Sequence, residues 1–459
     1  MAQFAPSRAP PGWSRTLRQG IHHPARLIPL GFLGLIALGT VLLMLPAARA
    51  GAGSAPLLTA LFTSTSAVCV TGLIVEDTPV YWSLFGQWVI LGLFQTGGFG
   101  IMTGATLLGL LVAGRLGLRT RLAAQAETRS LQLGDVGDVL RMVVLVTLTV
   151  EGLATAALAL RLHFAYGQPW GTALWEGFFH AVSAFNNAGF STRSDSLTGW
   201  ASDALVILPI TFAVLLGGLG FPVLNELRRK PFAFRQWSVH TRLTLLGSAL
   251  LIGGGALLIG AYEWNNPATL GALESGSRAL GAMFHSVAAR TAGFNTVDVG
   301  AMHVETQAVN WALMFIGGGS AGTAGGIKIT TFMLLGYAVW AEVRGSADTV
   351  VSRRRIPHQA LRLALAVVLM ALTVLAFGTL ALLSVTDLEV HDAIFEAVSA
   401  SATVGLSTGI TGELPPAGQG ILIALMFIGR VGSVTLVTAL ALRRHRQAYR
   451  YPEERPIVG

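Results

Sequence analysis

Apolar residues in this chain fall into eight runs long enough to cross roughly 30 Å of hydrocarbon. They lie near residues 27–46, 84–112, 139–162, 203–226, 243–263, 307–341, 358–386 and 418–442. Between the members of each successive pair sits a shorter apolar segment of about 11 to 14 residues, too short to span and suited to a half-helix that enters the membrane and turns back. Each unit reads span, half-helix, turn, span, and recurs about every 115 residues. The pattern predicts an all-α polytopic membrane protein with eight transmembrane helices in four fused repeats, 1–114, 115–229, 230–345 and 346–459.

The four short segments end in related turns. They read FTSTSAVCVTGLIV from Phe62, FHAVSAFNNAGFST from Phe179, FHSVAARTAGFNT from Phe284 and FEAVSASATVGLST from Phe395. The glycines Gly72, Gly189 and Gly405 stand ten residues after the phenylalanine and Gly293 stands nine after it, so the third half-helix must start or turn differently. A helix C-cap also ends in glycine, but four copies in register, each flanked by spans, point to a ring around an axis.

Composition agrees with the pattern. Hydrophobic residues make up 53% of the chain and charged residues 12%, which cannot build a water-soluble surface at this length. The basic N-terminus ahead of the run at 27–46 has the look of a secretory signal, but the run is long for one, and a retained first span is expected. The single cysteine, Cys69, excludes an internal disulfide framework and a Cys-rich metal site.

Charge placement tests the topology. The N-terminus, the three loops between repeats and the C-terminus hold 24 of the 31 Lys and Arg residues. The positive-inside rule makes that face cytoplasmic, with both termini inside. The opposite face carries fourteen acids, among them Glu76, Asp77, Asp195, Asp298, Asp387 and Glu389, against five arginines; such a mouth concentrates cations. The basic balance is thus topological and no sign of nucleic acid, and the inner face suits anionic lipids or an acidic cytosolic partner. All loops between repeats lie on one side, so the repeats are parallel, unlike inverted-repeat transporters.

A dehydrated cation needs oxygen ligands, and four converging backbone segments can supply rings of carbonyls. Glycine reaches positive φ cheaply and lets successive carbonyls face one axis, while each half-helix points its partially negative C-terminal end toward the ion. The expected selectivity-filter residues are Val70, Thr71 and Gly72; Asn187, Ala188 and Gly189; Thr291, Ala292 and Gly293; and Thr403, Val404 and Gly405. The fourth copy comes nearest the TVGYG pattern of potassium-channel filters.

On these turns the chain resembles the Trk/Ktr/HKT superfamily of cation transporters over nearly its whole length, with a short leading segment most like the Ktr-type membrane subunit. The resemblance implies potassium as the transported ion, since serine in the first turn is associated with sodium and this chain has Gly72; sodium transport is the alternative within the fold. It further implies no cofactor in the chain, a homodimer, and a cytosolic ring of nucleotide-binding regulatory subunits of the KtrA/TrkA type. The expected location is the bacterial-type cytoplasmic membrane.

Two cations fall where hydrocarbon should be, each costing about 2.5–3.5 kcal/mol on insertion scales unless paired or hydrated. Lys328 closes a glycine-rich run with Gly317, Gly318, Gly319, Gly322, Gly325 and Gly326, which disfavours continuous helix and predicts a flexible break. In the family the matching segment is an intramembrane loop that gates the pore. The other reading is a kinked helix with close glycine packing. Arg430 aligns with the glycine-rich midpoints at Gln95, Gly217 and Gly317; in the family an arginine there lies below the filter, as a barrier or as a partner of the gating loop. The plainer reading is a salt bridge to Glu151. Arg290, inside the third turn, is expected to point behind the filter, Asn186 and Asn187 to bond neighbouring backbone, and His180 and His285 to bond at the outer surface.

Other matches are rejected. The run from Gly317 satisfies GxGxxG but follows a span rather than a strand, and Ile327 breaks the Walker spacing before Lys328. Glu176 and His180 lack the second histidine of a zinc hydrolase motif. With only Glu151, Lys328 and Arg430 ionised at membrane depth, neither an enzyme nor a coupled secondary transporter of another class is supported.

Overall fold

The computed structural model describes residues 24–114 and 136–442, with side chains over 28–100 and 141–432. Arg8, Arg15, Arg18, Arg115, Arg119, Arg121, Arg129, the cations of 443–459 and both termini lie outside the described residues.

The helices follow the apolar runs. The first group holds α1 (Pro24–Leu43), α2 (Leu57–Val68) and α3 (Leu84–Gly114), and the second holds α4 (Val136–Tyr166), α5 (Trp170–Asn186), α6 (Ala204–Leu219) and α7 (Phe221–Arg229). Then come α8 (Val239–Glu263), α9 (Ser275–Ala288), α10 (Val304–Phe315) and α11 (Ile329–Val343), followed by α12 (His358–Val385), α13 (Val390–Ser401) and α14 (Pro416–Leu442). The only sheet among the described residues is a hairpin of β1 (Val350–Val351) and β2 (Arg354–Arg355), pairing Val350 with Arg355.

The surface is that of a multi-pass membrane protein. Within α4, α8 and α12 the segments Arg141–Tyr166, Val239–Glu263 and His358–Val385 are long and apolar enough to cross a bilayer, yet only 33%, 33% and 11% of their most apolar windows are buried. Large apolar side chains such as Leu153, Phe164, Leu257 and Phe377 face outward, while Thr63, Ser64, Thr65 and Ser66 of α2 are buried. Polar groups inside and apolar groups outside is the arrangement hydrocarbon requires.

The short helices are set by their ends. Pro56 and Pro169 precede α2 and α5, where a missing N–H costs nothing. Phe62, Phe179, Phe284 and Phe395 are each fully buried and anchor the four short helices in the cores. Packing between groups closes a circle: α3 contacts α5, α6 contacts α9, α10 contacts α13, and α14 returns to α2 and α1.

Two expected spans are interrupted. The run at 203–226 was predicted as one span; instead α6 and α7 meet at Gly220 with a bend of 102°. Pro222 has no N–H to offer Gly218, so the Gly217 and Gly218 carbonyls accept from Thr323 N (3.1 Å) and Gly319 N (2.8 Å) instead. The run at 307–341 breaks between Phe315 and Ile329, as the glycines imply.

Candidate functional site: a ring of four glycine turns and the loop beside it

At each turn the chain leaves its short helix through a left-handed residue two positions before the glycine: Val70 (φ 55°), Asn187 (58°), Thr291 (75°) and Thr403 (51°). The glycines follow at 93°, 71°, 75° and 96°. Positive φ therefore occurs twice per turn, and the first instance falls on β-branched Val70, Thr291 and Thr403, which favour it poorly, and on Asn187, which adopts it more readily. Sequence reasoning assigned that conformation to glycine alone.

The glycines meet in a closed ring. A Cβ on Gly72 would strike the Ala188 carbonyl, one on Gly189 would stand 3.0 Å from the Ala292 carbonyl, one on Gly293 2.5 Å from the Val404 carbonyl, and one on Gly405 would strike the Thr71 carbonyl. Each glycine thus abuts the carbonyl that precedes the next glycine around the circle. Any side chain there would meet backbone that cannot move aside, so all four positions require glycine on steric grounds as well as torsional ones.

The turns are braced differently. Four residues after the phenylalanine, the Ser66 and Ser399 hydroxyls accept from Gly72 N and Gly405 N, both at 3.1 Å, and Ser183 donates to the Phe190 carbonyl at 2.8 Å. The third copy has Ala288 there, and its backbone carbonyl accepts from both Ala292 N (2.9 Å) and Gly293 N (3.3 Å). This is how the third turn absorbs its missing residue: helix α9 runs straight into the turn, and a backbone bond replaces the serine.

One residue after each phenylalanine stands Thr63, His180, His285 or Glu396. The histidines were expected at the outer surface; both are buried. His180 Nδ1 donates to the Glu176 carbonyl (2.8 Å) and Nε2 faces Ser191 Oγ (2.9 Å), while His285 Nε2 faces Asn310 Oδ1 (3.2 Å). Glu396, which composition did not flag, accepts from Ser407 Oγ (2.5 Å) and Thr411 Oγ1 (2.8 Å). Ser191 and Ser407 both sit two residues past a ring glycine, so His180 and Glu396 brace the chain as it leaves the ring. Buried Glu263 is a further carboxylate missed by the sequence reading, held by Thr269, Thr306, Asn266 and the His303 amide.

Three residues before the glycines, Cys69, Asn186, Arg290 and Ala402 back the ring. Asn186 donates to Gln95 and, at 3.3 Å, to Glu151, which also accepts from Gln95 Nε2 (3.2 Å). Glu151 is therefore engaged with amides rather than with Arg430. The expected bonding of Asn186 to neighbouring backbone also holds, through the Val182 carbonyl at 2.9 Å.

The glycine-rich segment 316–328 lies against this ring. It folds on itself through Gly317 N to Ile327 O (3.0 Å) and Ile327 N to Phe315 O (3.1 Å), and Ile329 N reaches Gly318 O (3.0 Å). The break expected from the glycines is present, and it takes the form of a loop laced at both arms and packed closely against α6. Three cations hold its carbonyls: Arg290 Nη2 at Gly317 O (3.1 Å), Arg430 Nη1 at Thr323 O (2.6 Å) and Lys328 Nζ at Ala324 O (2.5 Å). The loop touches the ring through Gly325 N to Thr291 Oγ1 (3.2 Å) and Thr323 Oγ1 to Phe185 O (3.1 Å).

Beyond the second turn, Arg193 bonds Asp195 at 3.0 Å. Partial burial works against the Asp195 charge, but Arg193 and the Gly199 amide outweigh it and hold its carboxyl below the usual carboxylate range. No group of three or more metal-ligating His, Cys, Asp or Glu side chains exists among the described residues; the oxygens that converge are backbone carbonyls, which suit a hard cation.

Residues 31–449 match the family described as TrkH, cation transport protein. The chain is 40% identical over 438 residues to the Ktr system potassium uptake protein B of Bacillus subtilis, covering 95% of this chain and 97% of that protein. It is 33% identical over 444 residues to the potassium/sodium uptake protein NtpJ of Enterococcus hirae, covering 95% and 97%. Among solved structures it resembles the potassium transporter TrkH from Vibrio parahaemolyticus, with a TM-score of 0.71 at 18% identity over 91% of this chain and 85% of that one.

Proposed function

This chain belongs to the TrkH family of cation transport proteins, and from that premise we propose that it carries potassium into the cell through the ring of glycine turns. Membership makes it a transporter and not an enzyme. In this reading the four fused repeats surround a pore, and the carbonyls of Val70, Thr71, Gly72, Asn187, Ala188, Gly189, Thr291, Ala292, Gly293, Thr403, Val404 and Gly405 replace the hydration shell of the ion. Segment 317–328, with Lys328 and Arg430, is the gate. The protein works as a homodimer under a cytosolic nucleotide-binding ring, with both termini in the cytoplasm and anionic lipid at the basic inner face.

The observation that carries the reading is the closed contact of Gly72, Gly189, Gly293 and Gly405, each against the carbonyl preceding the next. A single glycine cap has no reason to meet three others. The negative ends of four short helices converge there, which favours a cation, and buried Arg290 and Arg430 and half-buried Lys328 grip the adjoining loop by its carbonyls.

Sodium is the second reading, since the Enterococcus relative is named a potassium/sodium uptake protein. The deciding experiment measures potassium and sodium uptake in cells lacking their own potassium systems, with Gly72→Ser and Gly405→Ser beside the parent chain. Potassium uptake with preference over sodium is expected of the parent, and a preference reduced about tenfold or more in either variant, because each added Cβ strikes a ring carbonyl at a positive φ disfavoured by ~1–2 kcal/mol. Unchanged flux and selectivity in both variants would remove the filter assignment, and uptake of sodium in preference to potassium by the parent would favour the second reading.

A further inference from the structure

Among the described residues the third turn is hydrogen-bonded to both arms of the glycine loop, whereas the second meets it at Thr323 alone, whose Oγ1 lies 3.1 Å from Phe185 O and 3.3 Å from Asn187 Oδ1. Two consecutive residues grip both arms of the loop: Arg290 donates to Gly317 O (3.1 Å) on one arm, and Thr291 Oγ1 accepts from Gly325 N (3.2 Å) on the other. The arms pair with each other between Ile316 and Ile327, so this dipeptide closes a staple around them. Arg290 is buried, its only other partner is Ser248 Oγ at 3.4 Å, and its Nε is unbonded.

A cation is costly in that place, and forming the turn does not require one. Asn186 holds the same position in the second copy with amide and carboxylate partners, and Cys69 and Ala402 hold it in the first and fourth. What arginine adds is reach to the loop. Arg430 holds the loop too, but from α14 rather than from a ring turn.

We propose that Arg290 is a positioning residue that makes the third filter turn and the loop one mechanical unit, so that movement of the loop changes ion selectivity together with flux. The proposal rests on reading 317–328 as the gate. If the loop swings away it pulls on Arg290 and Thr291, and Thr291 is itself a ring residue with its backbone held at φ 75°. Release through Arg430 loosens the loop while leaving the third turn attached to it.

The test measures potassium and sodium uptake by the full chain in cells lacking their own potassium systems, normalised to the amount of protein in the membrane. Arg290→Gln is expected to change flux and to lower the potassium-to-sodium ratio about fivefold, the scale of one lost hydrogen bond. Arg290→Lys, which keeps a cation but loses the planar fork, falls between it and the parent. Arg430→Gln changes flux with little change of ratio. Should Arg290→Gln not reach the membrane, Arg290→Lys and Ser248→Ala decide, each expected to shift flux and ratio together by about twofold. A parent-like ratio in the Arg290 variants beside altered flux in Arg430→Gln overturns the coupling and leaves the gate standing. Parent-like flux in both Arg290→Gln and Arg430→Gln overturns the gate and the coupling with it.

Discussion

The first and third turns reach the same backbone conformation by different routes. Gly72 and Gly293 have φ of 93° and 75°, and each is preceded at two residues by a left-handed Val70 or Thr291. The first turn is braced locally, by the Ser66 hydroxyl on the Gly72 amide, and is backed by the uncharged Cys69. The third is one residue shorter, takes both amides on the Ala288 carbonyl, and is backed by Arg290 on the glycine loop. The ring constrains where carbonyls and glycines stand, and leaves the bracing behind them free to diverge. Among the described residues, divergence then leaves Arg290 as the backing residue that bonds the loop directly.

The sharpest way to break the comparison is to attack what the two turns share. Gly293→Ala and Gly72→Ala should each lose most potassium uptake, since both added Cβ atoms meet ring carbonyls at positive φ, at ~1–2 kcal/mol for the torsion alone. Uptake assays on membrane-inserted protein check this; a tolerant Gly293 beside an intolerant Gly72 would mean the third turn stands outside the ring.

A smaller effect is expected where the turns differ. Ser66→Ala leaves the buried Gly72 amide without its acceptor and should cost ~1 kcal/mol of thermal stability, with a lower potassium-to-sodium ratio. Ala288→Ser in the third turn should bring no gain, because Gly293 N is already taken by the Ala288 carbonyl. Melting curves of the two variants in detergent decide it, and a stabilising Ala288→Ser would show that the shorter turn does lack a brace.

The smallest effect lies beyond the second turn, at the Arg193–Asp195 pair. The Asp195 carboxyl is depressed, so its contribution is fully present above the ordinary carboxylate pKa and is lost as pH falls through its lowered one. Asp195→Asn should lower stability by less than about 0.5 kcal/mol at pH 7, the scale of an exposed pair, and the gap to the parent should close below about pH 4. A gap that widens in acid would contradict the sign.

Much of this was legible in the sequence because hydrocarbon imposes simple periodicities. The apolar runs located the helices, the Phe-to-glycine spacing located all four turns, and the nine-residue interval in the third copy foretold its altered turn. The glycines around Lys328 marked the broken helix. What escaped notice depends on contacts distant in sequence. Pro222 is a local signal for the bend at Gly220, but the carbonyls it frees at Gly217 and Gly218 are satisfied by the distant loop amides of Thr323 and Gly319, which donate to them. Glu396 and Glu263 gave no motif, since a buried carboxylate is defined by the hydroxyls and amides folded around it.

By itself the sequence determined a membrane protein, the order of its helices and the four glycines that must turn, because burial in lipid and positive φ act on residues one at a time. Only the tertiary structure decided which carbonyl each glycine would face, that Glu151 would bond amides rather than Arg430, and that Arg290 would reach the loop. Those outcomes follow from which buried polar groups find partners, and the partners are supplied by other copies of the motif.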